Sequence, residues 1–231
     1  MKTETERTSR YMYALMILTA AGITAAGVIW KQSFFRILPL YISLLVGLYQ
    51  TRASRYAVLI GGLNSLLYAA VFFYYRVYGS AAQALRVSFP IQMWTFVRWK
   101  QHAYGESTVF RRLTGKQRAW IAAGFVLLCA AVFAVLSAFG SQYRVLDTLV
   151  TLLGLLTPIL TLFAFIEYTW LQLVGGALIT ALYIQMLGAY PEQVTYLIYA
   201  VYSLICMTLN CTRVRALYAR QQAEQKEEKT V

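Results

Sequence analysis

The sequence has few acidic residues and a single histidine. Its 231 residues contain nine Asp and Glu against 21 Lys and Arg. Five of the acids lie near the two ends, which leaves Glu106, Asp147, Glu167 and Glu192 elsewhere. None of these falls in the middle of an apolar stretch, where a proton or sodium relay needs a carboxylate. Ion-coupled pumping is therefore disfavoured.

Residues that bind metals or carry catalysis are also scarce. Cys129, Cys206 and Cys211 lie inside apolar stretches, and no Cys-x-x-Cys or Cys/His spacing indicates a metal site. His102 lies in a polar loop and is expected to be solvated. Zinc-protease, nucleophile-elbow and phosphate-loop motifs are absent. The sequence thus predicts no metal, no cofactor, no catalytic residue and no enzyme.

Apolar residues dominate instead, at 59% of the chain. They form eight stretches of about 17–23 residues, the length that an α-helix needs to cross the hydrocarbon core of a bilayer. The longest polar stretch, 100–118, is too short to fold alone, so the chain is predicted to be a polytopic membrane protein. The eight stretches are Tyr11–Trp30, Phe34–Gln50, Tyr56–Tyr78, Ser80–Trp99, Ala119–Gly140, Val145–Ile166, Thr169–Gly188 and Val194–Cys211.

The basic residues sort to one side of these eight spans. Sixteen of the 21 fall in the even-numbered loops and the two tails, so the positive-inside rule predicts a multi-pass protein of the cell membrane with both termini in the cytoplasm. Clustering beside membrane ends indicates contact with anionic lipid rather than with nucleic acid. A cleaved signal peptide at the first stretch would leave an odd number of spans. The sixteen are Lys2, Arg7, Arg10, Arg52, Arg55, Arg98, Lys100, Arg111, Arg112, Lys116, Arg118, Arg213, Arg215, Arg220, Lys226 and Lys229.

Helices two to four and six to eight resemble two copies of one three-helix unit. The first helix of each copy contains a proline, Pro39 or Pro158, and the second contains a glycine pair followed by a tyrosine. The fifth helix returns the chain across the membrane, so the two units are parallel and the first helix is an addition to a seven-helix core. Matching prolines in two halves are typical of transporter hinges, although prolines also bend lipid-facing helices.

Polar and aromatic side chains inside the predicted spans give the candidate binding residues. Gln92 and Asn64 are amides at membrane depth, and Tyr68 follows Asn64 on the same helical face. Amides beside rings suit a flat polar solute, while interhelical hydrogen bonding is the alternative role of both amides. The same alternative, packing or interfacial anchoring, applies to the rings. The candidates are Gln92, Asn64, Tyr68, Trp99, Phe96, Trp170, Tyr183 and Tyr199.

These residues make the chain resemble the PnuC family of vitamin transporters. The family's fourth helix carries Pro-Met-Gln-x-x-Gly-Trp-x-x-Trp after an Asn-x-x-x-Tyr in the preceding helix, and here the corresponding segments are Pro90–Trp99 and Asn64–Tyr68. The stretch 146–151 resembles the family's Leu-Asp-Ala-x-Thr-x. In the seventh helix the family has Trp-x-x-Trp-x-x-x-Asn, where this chain has Trp170, Leu173 and Ala177.

The resemblance implies a seven-helix core of three, one and three helices, as in the SWEET sugar carriers. It also implies uptake of nicotinamide riboside by facilitated diffusion with alternating access, and trapping of the solute by a cytoplasmic kinase. A thiamine, riboflavin or sugar carrier of the same fold, or a non-transporting membrane sensor or assembly protein, remains an alternative, and a homo-oligomer stays open. The predicted segments are 1–33, 34–99, 100–143, 144–211 and 212–231; the last, without apolar period, is expected to fray from Gln221 on.

Overall fold

A computed structural model describes residues 2–76, 78–138 and 144–228, without the side chains of residues 2–9, 79, 80, 136 and 147. The predicted end of the fifth stretch at Gly140, Lys229 and the side chain of Asp147 lie outside this description. The described part is mostly helix, and a helix covers each of the eight apolar stretches. The helices are α1 (Lys2–Ile29), α2 (Phe34–Gln50), α3 (Arg55–Tyr74), α4 (Tyr78–Gln83), α5 (Phe89–Gln101), α6 (Gly115–Ala138), α7 (Arg144–Leu162), α8 (Tyr168–Met186) and α9 (Val194–Glu228).

The fourth span consists of α4 and α5 joined by a π-helical turn, Ala84–Ser88. The backbone N–H of Phe89 donates to the Ala84 carbonyl, five residues back, which widens the helix at this point. Pro90 follows directly, and a proline has no N–H to donate to the carbonyl four residues earlier. The wide turn therefore accommodates the proline without ending the helix.

Among the described residues, six helices are long and apolar enough to cross a membrane. The segments are Arg10–Ile29, Arg55–Tyr74, Gly115–Val135, Arg144–Leu162, Tyr168–Met186 and Pro191–Glu228. The seventh apolar helix, α2, has 17 residues, and the fourth span is divided by its π turn. The chain is thus an all-α polytopic membrane protein, as the sequence predicts.

Six of the helices form a closed ring. Each helix of the ring packs against the next in the order α2, α3, α5, α7, α8, α9 and back to α2. Within each three-helix unit the second helix lies between the other two. Between units, the first helix of one unit packs against the third helix of the other, at α2–α9 and at α5–α7. This arrangement is that of two parallel repeats related by an axis through the centre of the ring.

Two helices lie outside the ring. α1 packs against α2 and α9, and α6 packs against α7. The surface of α6 is almost entirely exposed within the chain, with Trp120 79% and Leu127 72% accessible. Such a helix, hydrophobic on every side, is stable only in lipid. α6 is therefore the connecting helix between the repeats, and α1 is the additional N-terminal helix.

Both repeats turn between their first and second helices in the same way. After α2, the N–H of Ser54 donates to Tyr49 O and that of Ala53 to Gln50 O; after α7, Phe165 donates to Leu160 O and Ala164 to Thr161 O. These are Schellman motifs, in which the residue after the helix takes a left-handed conformation. Ala53 and Ala164 have φ of 51° and 55° and are buried in one apolar cluster.

The glycine pairs occupy equivalent packing positions in the two repeats. A Cβ added to Gly62 of α3 would collide with Cε of Met93 on α5. A Cβ added to Gly176 of α8 would lie 2.6 Å from Sδ of Met207 on α9. In both repeats a methionine of the third helix therefore fills the space that the glycine of the second helix leaves open. Small residues allow this close approach between membrane helices.

The long loop between α5 and α6 folds over one end of the bundle, which we call the hairpin end. Its two strands, Ala103–Tyr104 and Ser107–Thr108, form an antiparallel hairpin. The backbone N–H of Phe110 donates to Gln221 Oε1 at 2.9 Å, and Gln221 Nε2 donates to the Thr108 carbonyl at 2.9 Å. The backbone of the loop is thus hydrogen-bonded to a side chain of α9.

The C-terminal segment is helical, and the prediction that it frays from Gln221 is wrong. α9 continues to Glu228, and Gln221 is only 3% exposed. The hydroxyl of Tyr104 donates to the Glu224 carboxylate at 2.7 Å, which raises the pKa of that phenol above its usual value. The hairpin stabilises this polar part of α9 through hydrogen bonds. Because these contacts are polar and come from a distant part of the chain, the segment shows no apolar periodicity from which a helix could be predicted.

The first and last described helices reach the same end of the bundle. Arg52, in the turn between α2 and α3, donates to the Tyr13 hydroxyl at 3.2 Å, so the beginning of α1 lies at the hairpin end. The end of α9 lies there too, through Gln221. This agrees with an even number of membrane crossings.

Candidate functional site

Four helices from both repeats bring hydroxyl groups together inside the ring. The phenol of Tyr68 on α3 lies close to Ser43 on α2 and within electrostatic range of the phenols of Tyr183 on α8 and of Tyr196 and Tyr199 on α9. α3 and α8 are not neighbours in the ring, so the phenols of Tyr68 and Tyr183 face each other across its interior. We call these five residues the central cluster.

The central cluster combines hydroxyl groups with accessible aromatic rings. The four tyrosines are only partly buried, although each lies within a helix of the ring. The rings of Tyr183 and Tyr196 are tilted by 31° with centroids 5.9 Å apart, and Tyr68 stacks on Phe72 at 5.8 Å. The Arg36 guanidinium lies 5.9 Å from the Tyr196 ring centre. A flat solute would find ring faces and several hydroxyl donors here.

Helical spacing explains how α9 serves two roles. Tyr196 and Tyr199 are three residues apart and therefore lie on one face. Tyr202, three residues further on, is 1% exposed, and its hydroxyl donates to the Leu44 carbonyl of α2 at 2.8 Å. α9 thus presents two tyrosines to the central cluster and uses the third to hold the α2–α9 contact between the repeats.

Asn64 links α3 to the proline of α2. Its Nδ2 donates to the Pro39 carbonyl at 3.0 Å and to Ser43 Oγ at 2.8 Å, and Ser43 Oγ itself donates to Pro39 O at 2.9 Å. The side chain is 4% exposed, and its Oδ1 has no hydrogen-bond partner. Asn64 therefore fixes the position of Ser43 in the central cluster, while its own oxygen is buried without a hydrogen-bond partner among the described residues.

The side chain of Gln92 on α5 packs against the glycine pair of α3. Its Nε2 donates to Ser65 Oγ at 3.0 Å, and its Oε1 lies directly against Gly61. Ser65 in turn donates to the Gly61 carbonyl at 3.1 Å. Both predicted amides thus form hydrogen bonds between helices: Asn64 links α3 to α2, and Gln92 links α5 to Ser65, the residue next to Asn64 on α3.

Trp99 lies at the hairpin end, apart from the central cluster. It is 2% exposed, and its Nε1 donates to the Thr161 carbonyl of α7 at 2.8 Å. Its ring meets Phe110 edge-on at 5.8 Å and lies 6.4 Å from Tyr168. This apolar cluster joins the two repeats and fills the ring at this end; its buried members are Ala53, Trp99, Phe110, Leu113, Leu160, Ala164, Tyr168 and Val214.

The other two predicted rings are not brought to the central cluster. Phe96 on α5 packs near Tyr56, at 6.3 Å between centroids. Trp170 on α8 is 50% exposed, and the Arg215 guanidinium lies 4.4 Å from its ring centre. Of the eight predicted residues, Tyr68, Tyr183 and Tyr199 therefore lie together, with Asn64 behind them.

Sequence reasoning missed Ser43 and Tyr196 as members of the central cluster. Ser43 follows Pro39 by four residues and so lies on the same face of α2, which was an available signal. Tyr196 had a similar signal, since it precedes Tyr199 by three residues, but 18 tyrosines in the chain made that spacing unspecific.

Comparisons with known proteins agree with this architecture. Residues 33–209 match the model of a family described as nicotinamide mononucleotide transporter. A search of curated protein sequences gave no match. A solved structure, the crystal structure of the vitamin B3 transporter PnuC, superimposes with a TM-score of 0.73 at 20% sequence identity. The match covers 91% of this chain and 92% of that one, and it shows the same fold.

Proposed function

Because the chain belongs to the family of nicotinamide mononucleotide transporters, the PnuC family, we propose that it takes up nicotinamide riboside or a closely related ring-containing vitamin. Membership of this family makes the protein a membrane transporter and not an enzyme. The vitamin B3 named for the similar crystal structure has the flat polar ring that the central cluster suits.

The observation that carries the proposal is the convergence of Tyr68, Tyr183 and Tyr199 from three helices of both repeats. Transporters built from repeats bind their solutes where the repeats meet. Ring faces attract a cationic aromatic solute without a carboxylate, and phenol hydroxyls donate to its ribose or carboxamide oxygens. Asn64 supports this site indirectly, because its Nδ2 donates to Ser43 Oγ.

The hairpin end then serves as the inner gate. Trp99 of the first repeat is hydrogen-bonded to α7 of the second repeat, so this end of the ring is closed. Positive charge concentrates here, with Arg52, Lys100 and Arg112 among its basic residues, and the positive-inside rule places such an end in the cytoplasm. Opening requires α5 and α7 to separate, with hinges at Pro39 and Pro158 and at the wide turn before Pro90.

We propose facilitated diffusion as the mode of transport, because no acidic side chain lies in the middle of a predicted span where an ion relay needs one. In this proposal the carrier equalises its solute across the membrane, and phosphorylation of the solute by a cytoplasmic kinase prevents its return. Flux should therefore persist without any ion gradient.

The test is uptake into liposomes that contain the purified protein. Labelled nicotinamide riboside, its mononucleotide, thiamine and riboflavin are offered separately, without an ion gradient and with ionophores present. We expect saturable flux of nicotinamide riboside. Tyr68→Phe and Tyr199→Phe should each raise KM by about 3- to 10-fold, since each removes one hydrogen bond to the solute.

The matched control is Tyr78→Phe, because that tyrosine is 58% exposed. Saturable flux of thiamine or riboflavin alone would change the substrate and keep the carrier. Absence of flux for all four solutes, in protein that still unfolds cooperatively, would favour a sensor and reject the proposal.

A further inference from the structure

A cavity of about 210 Å³ lies at the hairpin end, apart from the central cluster. Trp99, Leu162 and Phe163 supply its apolar lining, and Arg98, His102 and Arg111 contribute basic groups. Its walls come from α5 and the following hairpin on one side and from the end of α7 on the other. The cavity therefore lies between the two repeats at the closed end of the ring.

Within the described part of the chain, no ion pair neutralises the arginines that line this cavity. None of its lining residues is acidic. The ion pair within the described part of the chain is Arg118–Glu167 at 2.8 Å, and Glu167 also accepts from the backbone of Leu113. The guanidinium of Arg98 lies 4.9 Å from the Phe163 ring centre. Arg111 contributes backbone hydrogen bonds, which leave its guanidinium available.

The backbone of Arg111 and the side chains of Arg98 and His102 are held in place by other parts of the fold. The N–H of Arg111 donates to the Ala164 carbonyl at 2.9 Å, and the N–H of Ile166 donates to the Arg111 carbonyl at 2.9 Å. Arg98 is held over Phe163. Nδ1 of His102 lies 3.1 Å from the Arg98 carbonyl, so the other ring nitrogen is not used in that contact. A site arranged before binding loses less entropy when a ligand is bound.

The structure assigns a phosphate-binding site to this cavity, with Arg98 and Arg111 as the charged donors. Each guanidinium group presents a planar fork of N–H donors that matches the oxygens of a phosphate. Membrane topology by itself requires only positive charge at this end, not two such groups lining one cavity. The phosphate belongs either to the headgroup of an anionic phospholipid, since the cavity lies at the membrane end of α5 and α7, or to a soluble phosphate compound. A phosphate bound to both arginines would hold the repeats together at this end.

The experiment measures the melting temperature of the full-length protein in two series. In neutral detergent, inorganic phosphate and pyrophosphate are compared with chloride at equal ionic strength. In nanodiscs, phosphatidylglycerol is compared with phosphatidylcholine. A ligand that binds the folded protein alone raises the melting temperature. We expect an increase of about 2–4 °C in the wild-type protein.

Arg111→Gln is the decisive variant, because the hydrogen bonds that hold this residue come from its backbone and the fold should survive. The increase should be lost in Arg111→Gln and in Arg98→Gln and kept in the control Arg112→Gln, an exposed neighbour outside the cavity. A shift with soluble phosphate identifies a soluble ligand, and a shift with phosphatidylglycerol alone identifies a lipid headgroup. No shift in either series, or an equal shift in Arg111→Gln, would overturn the site.

Discussion

The two repeats share their packing residues and differ in their polar residues. Ala53 and Ala164 end equivalent helices with the same left-handed turn, and Gly62 and Gly176 accept equivalent methionines. The polar links are not repeated. In the first repeat Asn64 bonds to α2 beside the central cluster. In the second repeat the buried Asn210 lies 3.3 Å from the hydroxyl of Tyr168, close to the hairpin end.

This difference shows that the two repeats keep equivalent packing residues but not equivalent polar residues. Packing between helices depends on shape, and the same shape serves both halves. A solute such as a nucleoside has no two-fold symmetry, so the two halves of its site have to differ. In the central cluster, the first repeat contributes Ser43, held by Asn64, and Tyr68, and the second repeat contributes the other three tyrosines.

The largest expected effect concerns the α2–α9 contact between the repeats. A Cβ on Gly47 would lie 2.8 Å from Cε1 of the buried Tyr202 and 3.0 Å from Sγ of Cys206. A fixed ring cannot move away as a flexible side chain can, so Gly47→Val should destabilise the protein by about 3 kcal/mol or more. Thermal unfolding in detergent measures this. In the control Gly124→Val the new side chain meets open space, and an equal loss there would contradict the explanation.

The next effect separates the two buried asparagines. Asn64→Leu and Asn210→Leu each leave buried partners unpaired and should cost about 1–3 kcal/mol. Only Asn64→Leu should also impair uptake in folded protein, because it releases Ser43 in the central cluster. Melting curves and uptake kinetics measured on the same preparations decide this. Equal loss of uptake in both variants would mean that the polar asymmetry of the repeats has no role in binding.

The gate provides a smaller effect. Trp99→Phe removes the bond from Nε1 to the Thr161 carbonyl and should destabilise the closed hairpin end by about 1 kcal/mol. Uptake should become faster if opening of this end limits the rate, and hydrogen exchange of the amides near the end of α7 should increase. Phe96→Leu, also on α5 but away from that contact, is the control. Unchanged exchange near α7 in Trp99→Phe would argue against the gate.

The smallest effects test the equivalence of the turns. A non-glycine residue in the left-handed conformation costs about 1 kcal/mol, and glycine removes that cost. Ala53→Gly and Ala164→Gly should therefore change stability by less than about 1 kcal/mol, because each also loses a buried methyl group. The two changes should be equal within error. A large loss at one turn alone would show that the repeats differ in backbone as well as in polar contacts.

Much of the fold was readable from the sequence because lipid imposes simple rules. Residues 34–50 were predicted to the residue as a helix, since every backbone group has to be satisfied within a membrane span. The proline and glycine positions indicated the repeat. The tail beyond Gln221 was predicted wrongly, because its helix depends on the hairpin more than a hundred residues away.

The residues of the central cluster were less predictable, because they too depend on contacts between distant parts of the chain. Tyr68, Tyr183 and Tyr199 could be proposed from type and depth, but Ser43 and Tyr196 gain their places only when four helices meet. Trp99 is of the residue type that stacks on flat ligands, but in the structure it is buried and its Nε1 donates to the Thr161 carbonyl. Many aromatic residues of this sequence lie within the predicted spans and are equally good candidates for the site. The position of a residue along a span does not show which side of the helix faces the interior of the ring.

The sequence by itself determined that this protein lies in a membrane, how many times it crosses and that its halves are related, because burial in lipid acts on each span separately. The tertiary structure alone decided which polar groups face one another and which end of the ring is closed. Those outcomes depend on the rotation and pairing of helices, and these are set by close contacts between residues far apart in the chain, such as Gly47 with Tyr202 and Trp99 with Thr161.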